Sequence, residues 1–171
     1  KLASSNLDNL LPHLLMIVGR QNDPDKLLMR IIPLIERIIE KNFYIILFIE
    51  NPIALSQAVN LCSASSLIAE QFIRYPLLLD ELLDPEALTS LPTLRALKKS
   101  LKERLHTILY ENIEEKIKII RQFRQAHMLR VAAAAVSGML PIMKVSDYLT
   151  NIATVVVDSL RELLLAELIE K

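Results

Sequence analysis

A chain of 171 residues in which 20 Lys+Arg balance 20 Asp+Glu carries no net charge, which argues against nucleic acid or anionic lipid as its main partner. It is 52% hydrophobic but only 5% aromatic, with 2 glycines, a balance that favours helices over strands and turns. A single cysteine, Cys62, excludes an internal disulfide and suits a reducing compartment, so a cytoplasmic location is expected.

Proline and capping residues punctuate the chain. A first helix is predicted over Leu7 to Val18, with Pro12 in its first turn or kinking it, and Gly19 as its end. Asp23-Pro24 opens a second helix reaching Glu40, whose core stripe is Leu27, Ile31, Ile35 and Ile38 and which bends at Pro33. Asn42 caps a short apolar helix, Phe43 to Glu50, and Asn51-Pro52 starts the next. Two or three short helices fit between Pro52 and Leu83, with breaks near Ser63 to Ser66 and at Pro76. Asp84-Pro85 and Leu91-Pro92 mark further starts, the latter opening a helix from Pro92 to Leu109.

Asn112 caps a long helix running to about Val136, with Ile113, Ile117, Ile120, Phe123, His127 and Val131 inward and Gly138 at its end. Glu114 and Glu115 lie at the positive end of that helix, as its dipole prefers. Ser146 caps the last helix, which buries Leu149, Ile152, Val156, Leu160 and Leu163. No alternating strand pattern and no fixed repeat stands out. The expected fold is all-α, an irregular bundle of about seven to nine helices with no sheet. It is read as one domain, 1–171, within which residues 1–50 can form a small subdomain packed on 51–171.

Mean hydropathy is +0.33, which raises the question of a membrane. A spanning helix needs about 20 mostly apolar residues. Asn51 to Ala69 is interrupted by Pro52, Gln57 and Asn60, and Val131 to Met143 is short and contains Pro141. Both read as buried helices, so no membrane partner is expected, and the first residues carry no signal-peptide pattern.

Few residues suggest chemistry. Two distant glycines cannot form a phosphate-binding loop, and there is no His-x-x-x-His or Cys-x-x-Cys pair for zinc. Catalytic residues, metal ligands and cofactors are therefore expected to be absent from this stretch. Asp23-Pro24-Asp25 reads as a helix start rather than a carboxylate pair for Mg²⁺, His127 as a packed histidine, and Cys62 as a small buried hydrophobe. Asp80, Glu81, Asp84 and Glu86, interleaved with leucines, read as a short amphipathic helix and its boundary, or as a docking ridge. Lys116, Lys118, Arg121, Arg124 and Arg130 form a basic row with almost no aromatic interleaving. That row reads as a solvated face, or as a contact for an acidic partner or a nucleotide held in a larger assembly.

Two blocks of sequence carry a resemblance. The first contains Glu50-Asn51-Pro52, Leu61-Cys62, Arg74-Tyr75-Pro76 and Leu78-Leu79-Asp80-Glu81-Leu82-Leu83-Asp84-Pro85. The second contains Arg121-Gln122-Phe123-Arg124-Gln125-Ala126, Leu129-Arg130, Leu140-Pro141 and Met143-Lys144-Val145-Ser146-Asp147-Tyr148. Together, over Glu50 to Ala153, they resemble the bifunctional glutamine synthetase adenylyltransferase/adenylyl-removing enzymes. That resemblance implies a long parent with two nucleotidyltransferase halves, using ATP and Mg²⁺ and answering to glutamine and PII signal proteins. The blocks would sit just upstream of the second catalytic domain, whose Gly-rich and Ser-Asp-x-Asp segments are absent here. Ala135, Tyr148 and Asn151 depart from the family's usual acidic residue, His and Trp.

The resemblance implies a non-catalytic helical scaffold that packs on the downstream catalytic domain and presents glutamine synthetase or PII. Arg121, Arg124, Arg130, Lys144, Asp147, Asp80, Glu81 and Asp84 are its expected contact residues. One alternative is that Arg130 or Lys144 offsets phosphate charge directly in adenylyl transfer. Another is a free-standing helical adaptor.

Overall fold

The computed structural model describes residues 2–39, 41–84, 88, 91–108, 112–136, 138 and 140–169. The expected boundaries at Glu40, Pro85 and Leu109, and the acidic Glu86, lie outside them. The described residues form α-helices joined by short turns, with one 3₁₀ segment and no strand. They divide into two compact units, Lys1–Glu86 and Ala87–Lys171. The packing boundary thus falls beyond the acidic segment rather than near residue 50, because the helices of 1–50 share one core with those that follow.

The N-terminal unit contains α1 (Leu2–Val18), α2 (Pro24–Ile39), α3 (Asn42–Glu50), α4 (Pro52–Ala64), α5 (Ser66–Arg74) and the 3₁₀ segment Pro76–Leu83. α1 starts earlier than its pattern suggests, so Pro12 lies in its interior rather than its first turn. The helix tolerates the lost N–H because Leu10, Leu14 and Val18, spaced four apart, anchor it in the core. α2 opens as expected: Asp23 Oδ1 accepts from the Lys26 N–H at 3.2 Å. Its buried stripe is Leu27, Ile31, Leu34 and Ile38, so Leu34 takes the place predicted for Ile35. The i, i+7 step from Leu27 to Leu34 stays closer to one helix face than i, i+8.

Two predicted caps act differently. Asn42 is the first residue of α3 rather than its cap, and its Oδ1 accepts from Asn6 Nδ2 of α1 at 3.0 Å. Asn51 makes no side-chain cap on α4. Its Nδ2 instead donates to the Leu47 carbonyl at 3.1 Å, satisfying the exposed end of α3. Arg30 performs a similar service for α4, donating to the carbonyls of Cys62 and Ser63 at 2.8 Å each. Cys62 is fully buried and burial pushes its thiol up to about 12, so it is an inert core residue.

The C-terminal unit contains α6 (Leu94–His106), α7 (Ile113–Val136) and α8 (Ile142–Ile169), which pack pairwise on one another. Its core joins Leu97 and Leu101 of α6, Ile120, Phe123 and Val131 of α7, and Tyr148, Ile152 and Val155 of α8. α6 begins two residues later than predicted, because Thr93 supplies the cap: its Oγ1 accepts from the Ala96 N–H at 3.3 Å. Asn112 caps α7 as expected, accepting from the Glu115 N–H at 3.0 Å. Ser146 does not cap α8. The helix is already under way four residues earlier, opened by the Pro141 carbonyl, which accepts from Lys144 and Val145. On α8 the inner row includes Val155, while the expected Val156, Leu160 and Leu163 pack partly buried at its margin. No single described helix is long and apolar enough to cross a membrane.

Candidate interaction surfaces

The predicted contact residues belong to both units. Asp80 and Glu81 lie on the 3₁₀ segment and Asp84 directly follows it. The expected short amphipathic helix is of the 3₁₀ type, and its inward row has period three: Pro76, Leu79 and Leu82 are all buried. Leu78 is buried beside them, and the segment packs on α4 and α5. The carboxylates of Asp80 and Asp84 are left exposed and Glu81 is half-buried. Partial burial and the neighbouring Glu81 raise the Asp80 carboxyl above its usual range. Burial and, behind it, the Asp80 charge raise the Tyr44 phenol of α3.

The basic residues of α7 do not form one stripe. Arg121 and Arg124 are exposed on a shared face. Arg130 is half-buried; nine residues on from Arg121, it points about 180° away around the helix. Lys116 is only 8% exposed, and Lys118 is paired with Glu115 at 3.2 Å. Lys144 and Asp147 are exposed near the start of α8.

Inside the C-terminal unit lies a buried polar pair that sequence reasoning did not assemble. Tyr148 Oη of α8 and His127 Nδ1 of α7 share a hydrogen bond of 3.0 Å. The imidazole also stacks obliquely on Phe123, with ring centroids 4.3 Å apart. Burial, then the charges of Arg130 and Arg104, lower His127 to about 4, so the ring is neutral at physiological pH. Burial raises Tyr148 to about 12 against the opposing pull of Arg130. The Arg104 guanidinium of α6 stands 5.8 Å from the Phe123 ring centroid, within reach of the ring face. The pair ties α7 to α8 through a polar contact inside their shared core. The sequence marked His127 as packed, but nothing local in it identified Tyr148 or Arg104 as neighbours across other helices.

The second sequence block is split between interior and surface. Phe123, Gln125, Ala126, Leu129 and Tyr148 are buried, and Gln125 Nε2 finds no acceptor among the described residues. The described residues hold no group of three or more His, Cys, Asp or Glu placed to bind a metal ion.

Comparison with known proteins gives these blocks a family. Residues 55–171 match the family model described as glutamate-ammonia ligase adenylyltransferase. The chain is 47% identical over 161 residues to the bifunctional glutamine synthetase adenylyltransferase/adenylyl-removing enzyme of Nitrosococcus oceani, covering 94% of this chain and 17% of that protein. It is 44% identical to the protein of that description in Pseudomonas syringae pv. tomato, over 92% of this chain and 16% of that protein. The Pseudomonas aeruginosa protein is 40% identical over 171 residues, all of this chain and 17% of its own length. The chain therefore spans about one-sixth of the length of these relatives. It belongs to the glutamate-ammonia ligase adenylyltransferase family.

Proposed function

We propose that this chain is a helical scaffold and interaction region of a glutamine synthetase adenylyltransferase, and that it carries no catalytic group itself. The parent transfers AMP from ATP to glutamine synthetase with Mg²⁺ and also removes it. The observation that carries this reading is the split within the family-matched blocks. Leu61, Cys62, Leu78, Leu79, Leu82, Phe123, Leu129 and Tyr148 are buried, while Arg121, Arg124, Lys144, Asp147, Asp80 and Asp84 remain on the outside. Exposed charges on rigid helices steer and register a protein partner more than they add raw affinity. Glutamine synthetase and a PII signal protein are the partners this reading assigns to them.

The experiment is charge reversal in the intact enzyme. Arg121→Glu with Arg124→Glu, and separately Asp80→Lys with Asp84→Lys, should slow adenylylation of glutamine synthetase or blunt its response to PII. Circular dichroism should remain unchanged, since all four side chains are exposed. Unaltered rates and unaltered PII response in both variants would remove the docking role.

The reading in which Arg130 enters the adenylyl-transfer site is less well supported. Arg130 is half-buried beside the His127–Tyr148 pair and acts electrostatically on both rings. That placement suits a positioning role better than direct contact with phosphate.

A further inference from the structure

α8 is apolar on two opposite sides. Tyr148, Ile152 and Val155 face the core of the C-terminal unit. At about 100° per residue, Met143, Thr150, Val157 and Leu164 fall about 180° from that row, on the side turned to solvent. These four recur at every seventh position. Ser146, Ala153 and Leu168 share their arc of roughly 80°, and Arg161, at its edge, is the one charged residue in it. Met143 is 71% exposed, Val157 63%, Leu164 56% and Leu168 71%. The outward side of a surface helix normally carries polar and charged residues, whereas a helix apolar on both sides is an interior one.

The polar members of this seam cost little to bury. Thr150 Oγ1 donates to the Ser146 carbonyl at 3.0 Å, and Thr154, at the margin, donates to the Thr150 carbonyl at 2.9 Å. A hydroxyl already bonded to its own helix loses less when water leaves than an unbonded one does. Ser146 and Ala153 are small, so another helix can come close there. An apolar repeat of seven is the pattern along which a second helix packs at a shallow crossing angle of about 20°.

We propose that this seam receives a helix from elsewhere in the same polypeptide, apolar at the same interval and bulky where it meets Ser146 and Ala153. The relatives are about six times the length of this chain, so most of such a polypeptide lies outside the two units. The four large side chains expose roughly 500 Å² together, less than the about 800 Å² per partner that a stable complex of separate molecules buries. A segment tethered in the same chain is held at high effective concentration and needs less contact. The proposal rests on the reading of this chain as a region of a longer enzyme, and not on the docking role of Arg121 and Arg124.

Cysteine labelling in the intact enzyme tests it. Ser146→Cys, a near-isosteric change, and Leu164→Cys place a thiol in each half of the seam, and Arg121→Cys gives an exposed reference. Maleimide incorporation is read peptide by peptide by mass spectrometry, with the enzyme alone in solution. Both seam cysteines should react at least about thirtyfold more slowly than the reference, and dilution by about a hundredfold should leave that ratio unchanged. The charge-reversal rates of the exposed arginines are a separate measurement, so the two readings fail separately. Labelling at either seam position as fast as at Arg121→Cys would overturn the proposal. Protection lost on dilution as the enzyme dissociates to monomers would overturn it in favour of a second copy. Protection that appears only after adding glutamine synthetase, or vesicles of phosphatidylglycerol and phosphatidylethanolamine, would overturn it in favour of a separate partner.

Discussion

Tyr148 Oη and His127 Nδ1 meet at 3.0 Å inside the C-terminal unit, where the two residues are 4% and 5% exposed. Each is the other's polar partner across the α7–α8 contact. Tyr148→Phe keeps the ring and removes only the hydroxyl, leaving a buried imidazole nitrogen without that partner. The expected loss is about 1–3 kcal/mol. His127→Leu combined with Tyr148→Phe should cost less than the sum of the single changes, because no lone polar group then remains. Urea denaturation of the four proteins in the cycle measures this, and strict additivity would mean the bond contributes nothing.

The same histidine gives stability a pH dependence of definite sign. His127 is lowered from 6.5 to about 4 in the folded chain, chiefly by burial. The unfolded chain therefore binds the proton more readily between those values, and stability should fall as pH drops from about 6.5 to 4, by roughly 3 kcal/mol at most. Asp80 works in the opposite sense, since its carboxyl is raised and its protonation relieves the folded state at the acid end. The comparison that isolates His127 is the His127→Leu, Tyr148→Phe protein, whose stability should be flatter across the same window. Identical losses in the two proteins would show that other groups control the acid limb.

Local patterns in the sequence located most helices, because helix starts are written in adjacent residues. Asp23-Pro24, Asn112 and the break at Pro76 each act within a few positions of the helix end they specify. What the sequence hid depended on partners far along the chain or on competition between neighbouring helices. Asn51 serves the end of α3 rather than the start of α4, and both uses satisfy the same local rule. The period-three row Pro76, Leu79, Leu82 is visible in hindsight, but a leucine-rich run fits the α-helical period equally well. The basic row on α7 was legible as composition only. Counting residues around the turn separates Arg121 from Arg130, and Arg130 ends half-buried, its charge acting on His127 and Tyr148.

Asp23 and Asn51 permit a direct comparison of the two kinds of helix end. Asp23→Ala removes a side-chain cap on α2 and should cost about 1 kcal/mol. Asn51→Ala removes a bond to the α3 carbonyl of Leu47, which still accepts the Asn51 backbone N–H at 2.9 Å. That second bond remains after substitution, so the loss should be smaller, about 0.5 kcal/mol. Chemical denaturation of the two alanine variants decides the order, and a larger loss at Asn51 would contradict the assignment.

Gly138, after α7, is the one described residue with positive φ, at 67°. A Cβ there would meet nothing within 4 Å, so substitution tests the backbone alone. Gly138→Ala should destabilise by about 1 kcal/mol and Gly138→Asn by less, since asparagine tolerates the left-handed region better. Equal stability of all three proteins would mean that the turn relaxes to negative φ.

Arg121 and Arg130 should respond differently to the same change, and the difference separates surface from interior roles on α7. Arg121→Glu alters an exposed side chain, so the folding midpoint should move by no more than about 0.5 kcal/mol. Arg130→Glu places a carboxylate near His127 and Tyr148, where the native guanidinium holds both pKa values down. Replacing a nearby positive charge with a negative one favours the imidazolium, so the His127 pKa should rise from about 4 toward its ordinary value. NMR titration of the His127 ring reads that shift directly. An unmoved His127 titration in Arg130→Glu, beside an unmoved one in Arg121→Glu, would mean that burial and Arg104 hold the ring neutral and that Arg130 faces outward with Arg121 and Arg124.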